Sequence, residues 1–551
     1  MPQCFDVLII GYGPAGATMA NLLGQRGYSV AVVESATAIY DKPRAITADQ
    51  EAMRVFQHCG LAQEMEQGTC PHPGTDFVGM QGQVIKRFYP QPPPQLLAWE
   101  PTWMFVQPEL EVKLRKGVER FPKVQVFLGH ELLQLQQNEN EVCADIRRLS
   151  DGEQIRLRSR YTIACDGARS SVRRQMNGEI EDLAFDEWWI VVDAWLRADA
   201  DLPERCVQYC RPSRPGTYIV GPNSLRRWEI KMLPGELPEQ FDNEAAIRKV
   251  LAEFTNPEAL DLCRTAIYRF HALVAKQWRF GRVFLMGDSA HQMPPFLGQG
   301  LCAAIRDTIN LAWKLDAVER LGASPKLLDT YAEERTPHVR TVVSHAKSFG
   351  LIIGELDEAA ARIRDQRMEE ELLSGQAESV RQKFIPGLTT GLIAMDTQQC
   401  PAPGAGVLFV QPWVKTAVNL AFQRLDDLAS PGFLLVSNDV SALDGMSAST
   451  ASFWQRIAGQ RVWIGTVPPS PSVAPDVLAV QERDGVFSTW LQSLGAKVAV
   501  IRPDRYVYGV AQSAEELPHL LLALESALFG AHPSATAAGQ ASAREPATLA
   551  N

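Results

Sequence analysis

Residues 7 to 34 read VLIIGYGPAGATMANLLGQRGYSVAVVE, and the period of the hydrophobic pattern changes twice within them. Val7 to Ile10 is a continuous apolar run, as expected of a strand buried on both faces. A glycine-rich turn follows, then apolar positions at helical spacing, then a second apolar run ending in Glu34. Gly11 permits a tight turn, Gly13 lets the backbone approach a pyrophosphate, and Gly16 lets the helix pack closely on the strand. Pro14 and Ala15 open the helix, whose free N–H groups and positive dipole end suit phosphates. Glu34 lies about 20 residues past the glycines, where a carboxylate accepts hydrogen bonds from ribose hydroxyls. This order predicts a Rossmann-type dinucleotide-binding unit, and the carboxylate favours NAD or FAD over a 2′-phosphorylated nucleotide.

Further along, the period changes again. Residues 183 to 274 carry WWIVVDAWLRA, VQYCRP, GTYIVGP and RRWEIKMLP, runs that alternate apolar and polar residues between proline and glycine. They predict an antiparallel sheet. Leu327 to Val343 reads as a helix, and residues 355 to 383, dense in charge, as a surface helix. From about residue 400 short apolar strands alternate with helices, among them FLLVSNDV, RVWIGTV and VIRPDRYVYGV. The final twenty residues, rich in Ala, Ser, Gly and Pro, have the composition of a disordered tail.

Composition narrows the classes. A chain of 551 residues exceeds what one hydrophobic core serves, so several domains are expected. A net charge of −10 argues against a nucleic-acid binder. No apolar stretch approaches the roughly 20 residues of a membrane span. The first strand begins within a few residues of the N-terminus, which leaves no room for a signal peptide, and a cytoplasmic location is expected. The ten cysteines form no CxxC pair, so buried reduced thiols are expected rather than a metal site.

Two more segments bear on the identity of the dinucleotide. TIACDGARSSVRR (162 to 174) and FGRVFLMGDSAHQMPPFLGQGLCAAIRDTINLAWKL (280 to 315) each run from a short apolar strand through an Asp–Gly or Gly–Asp pair toward a helix. With the N-terminal motif they resemble the signatures of the single-component FAD-dependent aromatic hydroxylases, over residues 5 to 350. The resemblance implies an α/β fold: a Rossmann-type FAD domain in two pieces (1–182 and 275–385), with an α+β, antiparallel-sheet substrate domain (183–274) between them. It also implies which residues hold non-covalent FAD. Gly11, Gly13, Pro14, Ala15, Gly16 and Glu34 come from the first motif, and Arg44 and Gln107 touch the ribityl and phosphate region. Asp166 and Gly167 belong to a motif tied to both FAD and the pyridine nucleotide. Gly287 and Asp288 serve the ribitol, while Pro294, Gly298, Gln299 and Gly300 form a loop and helix start facing the flavin pyrimidine. His291 is expected to be structural. Residues 400–530 resemble the thioredoxin-like C-terminal domain of the phenol hydroxylase branch; without CxxC, its expected role is packing or homodimerisation.

The implied chemistry is hydroxylation of a small phenolic substrate with O2 and with NADH or NADPH as co-substrate. Phenols ionise near pH 10, so a base that helps remove the proton is expected. Asp49, in PRAITADQEA, aligns with an acidic residue proposed for that role in the branch; the alternative is a cap on the helix that follows. KPRAITADQEAMR, WWIVVDA and RRWEIKMLPGE more closely resemble the hydroxylases of 3-(3-hydroxyphenyl)propionate and 3-hydroxycinnamate, which give 2,3-dihydroxy products. A carboxylate substrate calls for an arginine, with Arg211, Arg214, Arg226 and Arg227 as candidates. A hydroxylase of a bulkier phenol and a non-hydroxylating FAD oxidoreductase are the alternatives. A flavin halogenase would need a WxWxIP signature, which the chain lacks.

Overall fold

A computed structural model describes residues 3–42, 44–197, 200–468 and 473–530; the tail expected at 531–551 lies outside the described residues. Gln3–Ile10, Val30–Glu34, Val124–Leu128, Gln154–Ala164 and Val283–Leu285 lie parallel in one sheet. The run Val7 to Ile10 is buried throughout because the sheet is covered on both faces. Pro14–Gln25 lays Ala17, Ala20 and Leu23 against it, and the 22-residue helix Gly300–Leu321 packs beside that helix.

The second sheet is mixed and has eight strands. In order they are His291–Gln292, Leu260–Ala275, Ile180–Leu196, Leu225–Lys231, Gly216–Val220, Cys206–Tyr209, Thr75–Val78 and Val84–Phe88. The last two come from before residue 183, so the substrate sheet is wider than the 183–274 segment that the sequence pattern outlines. Thr75–Val78 pairs parallel to Cys206–Tyr209, a contact between distant segments that no local pattern announces. Along Leu225–Lys231, Trp228 and Ile230 face a core shared with helix Glu244–Leu251, while Arg227 and Glu229 point the opposite way, toward the first sheet.

The third sheet runs through Val477–Glu482, Gln460–Gly465, Leu434–Ser437, Val498–Ile501 and Val507–Ala511. Leu434–Ser437 lies parallel to Gln460–Gly465 and antiparallel to Val498–Ile501. With helices Ala448–Arg456, Val486–Ser493 and Leu517–Phe529, this is the strand order of a thioredoxin-like domain. Its junction with the first domain is in part apolar, with Trp313 edge-on to Phe433 at 5.7 Å, and in part polar. Glu334 takes hydrogen bonds from Lys314, Asn310 and Arg502 in a fully enclosed cluster. The two cations hold its carboxyl down to about 2 despite burial. Asp426 lies among Arg54, His58 and Arg505, and the Tyr506 hydroxyl donates to Glu51 at 2.9 Å. No helix among the described residues is long and apolar enough to cross a membrane.

Candidate active site

A cavity of about 890 Å³ lies between the first two sheets. At one end is the glycine loop. A Cβ on Gly11, whose φ is +101°, would sit 2.2 Å from the Cys165 carbonyl oxygen, and one on Gly16 would sit 2.0 Å from the Gly11 oxygen. Those two glycines are required by the protein's own packing. A Cβ on Gly13 would meet nothing within 4 Å, so this position borders open space at the helix start, where no side chain caps the N–H groups. Glu34 ends its strand at the cavity wall, its two oxygens accepting from the Tyr12 and Ala36 amides at 2.8 Å each. The loop thus offers backbone donors and a fixed carboxylate to one ligand.

Arg44, Gln107, Asp166, Gly167 and Asp288 also line the cavity, as do Gly11, Pro14 and Ala15. One oxygen of Asp166 accepts from the Ser171 and Val172 amides, whereas Oδ1 is buried without a hydrogen-bond partner. Such an atom costs free energy unless a ligand satisfies it. The Gln107 side chain accepts from the Ala45 amide at 2.5 Å and donates to Glu111, which fixes the segment carrying Arg44. Asp288 opens onto the cavity, and the surrounding protein pushes its carboxyl above the ordinary range. Gly287 and Gly16 lie behind the wall. Gly287 donates to Asp307, which also binds His291 and Arg335 at 2.8 Å each.

The loop 294–300 forms the opposite wall. Gly298 and Gly300 border the cavity, as does Pro295 in place of the expected Pro294. Gly298 has φ +61°, its oxygen accepts from Thr47 at 3.2 Å, and the following helix again starts with no side-chain cap. Gln299 points inward and accepts from Arg306 at 3.0 Å. Arg306 also binds Glu51 and Asp49. Asp49, for which the sequence left open a base or a helix cap, takes the cap position and does not border the cavity. It is buried behind the wall, with Oδ1 accepting from the Ala52 amide at 2.9 Å as the cap of helix Gln50–His58 and Oδ2 held by Arg306. The cap is set locally and the ion pair by a distant partner, so a carboxylate at this helix start has both oxygens used.

The roof of the cavity is the polar face of the second sheet. One cross-strand row runs Phe77, Gln208, Thr217, Glu229 and Val191; the neighbouring row includes Ile219, Arg227, Asp193 and Arg264. Arg227 and Arg264 both bind Asp193, and Thr217 donates to Gln208 at 2.5 Å. Glu229 is buried, its nearest cation is Arg227 at 3.9 Å, and burial pushes its carboxyl up to about 7. Arg381 and His72 enter from the side, 3.4 Å apart, and burial with two nearby arginines drives the His72 ring down to about 3, so it is neutral. Of the four candidate arginines only Arg227 reaches the cavity. Arg211 donates to the Glu253 backbone carbonyl, Arg214 pairs with the Glu236 carboxylate, and Arg226 bonds backbone carbonyls. Sequence reasoning passed over Glu229, Gln208, Thr217, His72 and Arg381. The RRWEIK run did carry a signal for Glu229: acidic and basic residues alternate with apolar ones that face a core.

A family model described as FAD binding domain matches residues 4–346, and one described as HcaD C-terminal domain matches residues 406–527. The chain is 34% identical to a probable NADH-specific resorcinol 4-hydroxylase of Rhodococcus jostii (strain RHA1), over 96% of each chain. It is 32% identical to a 3-(3-hydroxy-phenyl)propionate/3-hydroxycinnamic acid hydroxylase of Comamonas testosteroni, over 93% of this chain and 95% of that one. The flavin-dependent monooxygenase PieE has the same fold, with a TM-score of 0.78 at 22% identity, over 96% of this chain and 99% of that one. Aklavinone-11 hydroxylase has a TM-score of 0.72 at 21% identity, over 94% and 98%. The glycine loop, its carboxylate and the two helix starts around one cavity thus belong to the FAD-binding family that the first model describes. Within it, the chain is a single-component FAD-dependent aromatic hydroxylase that uses NAD(P)H and O2 on a phenolic substrate. The residues present fit FAD: Gly13 leaves the space, Glu34 can take ribose hydroxyls, and Asp166 Oδ1 awaits a donor. Bound FAD supplies the electron transfer from NAD(P)H and the activation of oxygen.

Proposed function

We propose that the chain hydroxylates a meta-substituted phenol beside its hydroxyl, with 3-(3-hydroxyphenyl)propionate and 3-hydroxycinnamate as substrates and 2,3-dihydroxy acids as products. One observation carries this reading. Arg381 lines the cavity with its Nε buried and without a hydrogen-bond partner. Its Nη2 donates to the Leu297 carbonyl at 2.6 Å, its neighbour His72 is uncharged, and no carboxylate among the described residues forms an ion pair with it. A desolvated guanidinium without a counter-ion favours an anionic ligand, and its planar fork matches a carboxylate. The Glu34 loop, Asp166 and Asp288 hold FAD in this reading, and the sheet roof holds the ring. Resorcinol is the second reading, favoured by the relative that is 34% identical; its second hydroxyl would replace the carboxylate at the meta position.

NADH consumption and product formation measured with the three phenols test the proposal. Arg381→Met should raise KM for the two acids by about tenfold or more, the loss of one charge-assisted contact, while FAD retention is unchanged. Equal KM values for wild type and variant with the acids, or turnover of resorcinol alone, would remove the carboxylate reading.

A further inference from the structure

With both Asp49 oxygens engaged behind the wall, a different carboxylate faces the substrate half of the cavity. Glu229 stands in the centre of the sheet roof, between Thr217 on one neighbouring strand and Val191 on the other. Its side chain shares a face with Arg227, and both line the cavity. Most buried carboxylates accept several hydrogen bonds, as Asp193 and Glu334 do here. For Glu229 no side-chain hydrogen bond is formed among the described residues: Arg227, 3.9 Å away, is already committed to Asp193 and to the Arg44 carbonyl. Unlike Asp166 Oδ1, its oxygens are not sealed off from the cavity, so a donor on a bound ligand can reach them.

We propose that Glu229 is a catalytic residue that accepts the hydrogen bond and then the proton of the substrate's phenolic hydroxyl, with Gln208 and Thr217 fixing the ring beside it. In the step the phenolic O–H bond breaks, an O–H bond forms on the carboxylate, and the electron pair stays on the phenolate oxygen. That charge flows into the ring and raises its reactivity toward activated oxygen. No oxidant is consumed in the step; the electrons and O2 come from the enzyme's own cycle. The groups facing Glu229 fit a proton acceptor. Burial and the nearby Asp193 carboxylate raise its affinity for a proton, Arg227 and Arg264 lower it, and the balance lies at about 7. A general base is most effective when its pKa lies near the working pH. At the side wall His72 is neutral and Arg381 is a cation, so neither competes for the phenolic proton.

The inference rests on the phenol hydroxylase reading, and the test separates the two. Turnover of resorcinol or 3-(3-hydroxyphenyl)propionate by the FAD-bound wild type checks the reading; the Glu229 comparison uses whichever phenol is hydroxylated. Glu229→Gln should keep FAD and substrate-stimulated NADH oxidation but yield at least about tenfold less product per NADH at neutral pH. The yield should recover as the pH rises toward the phenol's own pKa, an acid limb displaced upward from that of the wild type. A merely structural role would lower yield at all pH values alike. An unchanged pH profile with wild-type yield overturns the proposal. A measurement on the wild type alone guards against a misfolded variant, by comparing binding of the phenol with that of its methyl ether, which has no proton to give. The preference for the phenol should grow by roughly tenfold between about pH 5.5 and pH 8.5, as a charged acceptor replaces a neutral one. A preference that is flat across that range also overturns it.

Discussion

Replacing Asp49 by asparagine separates two roles that the sequence left equally open. In the structure Asp49 Oδ1 accepts from the Ala52 amide, and an asparagine oxygen can do the same, so the helix cap survives. Oδ2 receives the Arg306 guanidinium, and an amide NH2 there cannot. Removing one member of a buried ion pair costs about 3–5 kcal/mol, and because Arg306 keeps Glu51 and Gln299 the lower end, about 3 kcal/mol, applies. Asp49→Ala loses the cap as well, adding about 1 kcal/mol. The expected outcome is a graded fall in the unfolding midpoint of the FAD-bound protein, on the order of 3–5 °C for Asp49→Asn and more for Asp49→Ala. Product per NADH from the folded fraction should stay close to wild type, since Asp49 does not border the cavity. Differential scanning fluorimetry read beside a coupled NADH and product assay measures both. A variant with an unchanged midpoint, lost hydroxylation and a pH optimum moved upward would refute this reasoning and restore Asp49 as the base.

Gly13→Ala should fold normally, because its methyl group meets open space, yet lose FAD affinity by tenfold or more when titrated with FAD, whereas Gly11→Ala should destabilise the protein itself through the Cys165 carbonyl. Full FAD occupancy in purified Gly13→Ala would count against a phosphate site there. Tyr506→Phe removes a hydrogen bond to the Glu51 carboxylate, about 1.5–3 kcal/mol, and should lower the unfolding midpoint while leaving the chemical step intact in a single-turnover assay.

How far the sequence could be read depended on how local the determinants were. The glycine loop, both Asp–Gly segments and the strand–helix alternation after residue 400 are set within a few dozen residues, and backbone geometry leaves little choice of residue there. The thioredoxin-like strand order could be anticipated for the same reason, since its strands are near neighbours in the chain. The widening of the roof by Thr75–Val78 and Val84–Phe88 could not, because it depends on a pairing with Cys206–Tyr209 that neither segment encodes alone. Pro295 replaces Pro294 at the wall because adjacent residues in a turn point in different directions, which motif matching does not resolve. Asp49 shows the same limit more sharply. Its position in the motif is right for either role, and only the approach of Arg306, some 250 residues on, assigns its second oxygen.

The same distance in sequence gives the C-terminal domain a reason to be present without supplying a group to the cavity. Tyr506 donates to Glu51, Glu51 binds Arg306, and Arg306 holds both Asp49 and Gln299, the residue at which the helix facing the cavity begins. A continuous line of polar contacts thus joins the third sheet to the loop around Gly298. The domains are held by the apolar cluster in which Trp313 meets Phe433 edge-on at 5.7 Å, since buried ion pairs seldom add net stability. Removing one member of this polar line leaves the others buried without their partner, so the cost falls on stability. Gln299 and the start of helix Gly300–Leu321 are thus tied to the third sheet through Arg306, Glu51 and Tyr506, and none of these four side chains lines the cavity.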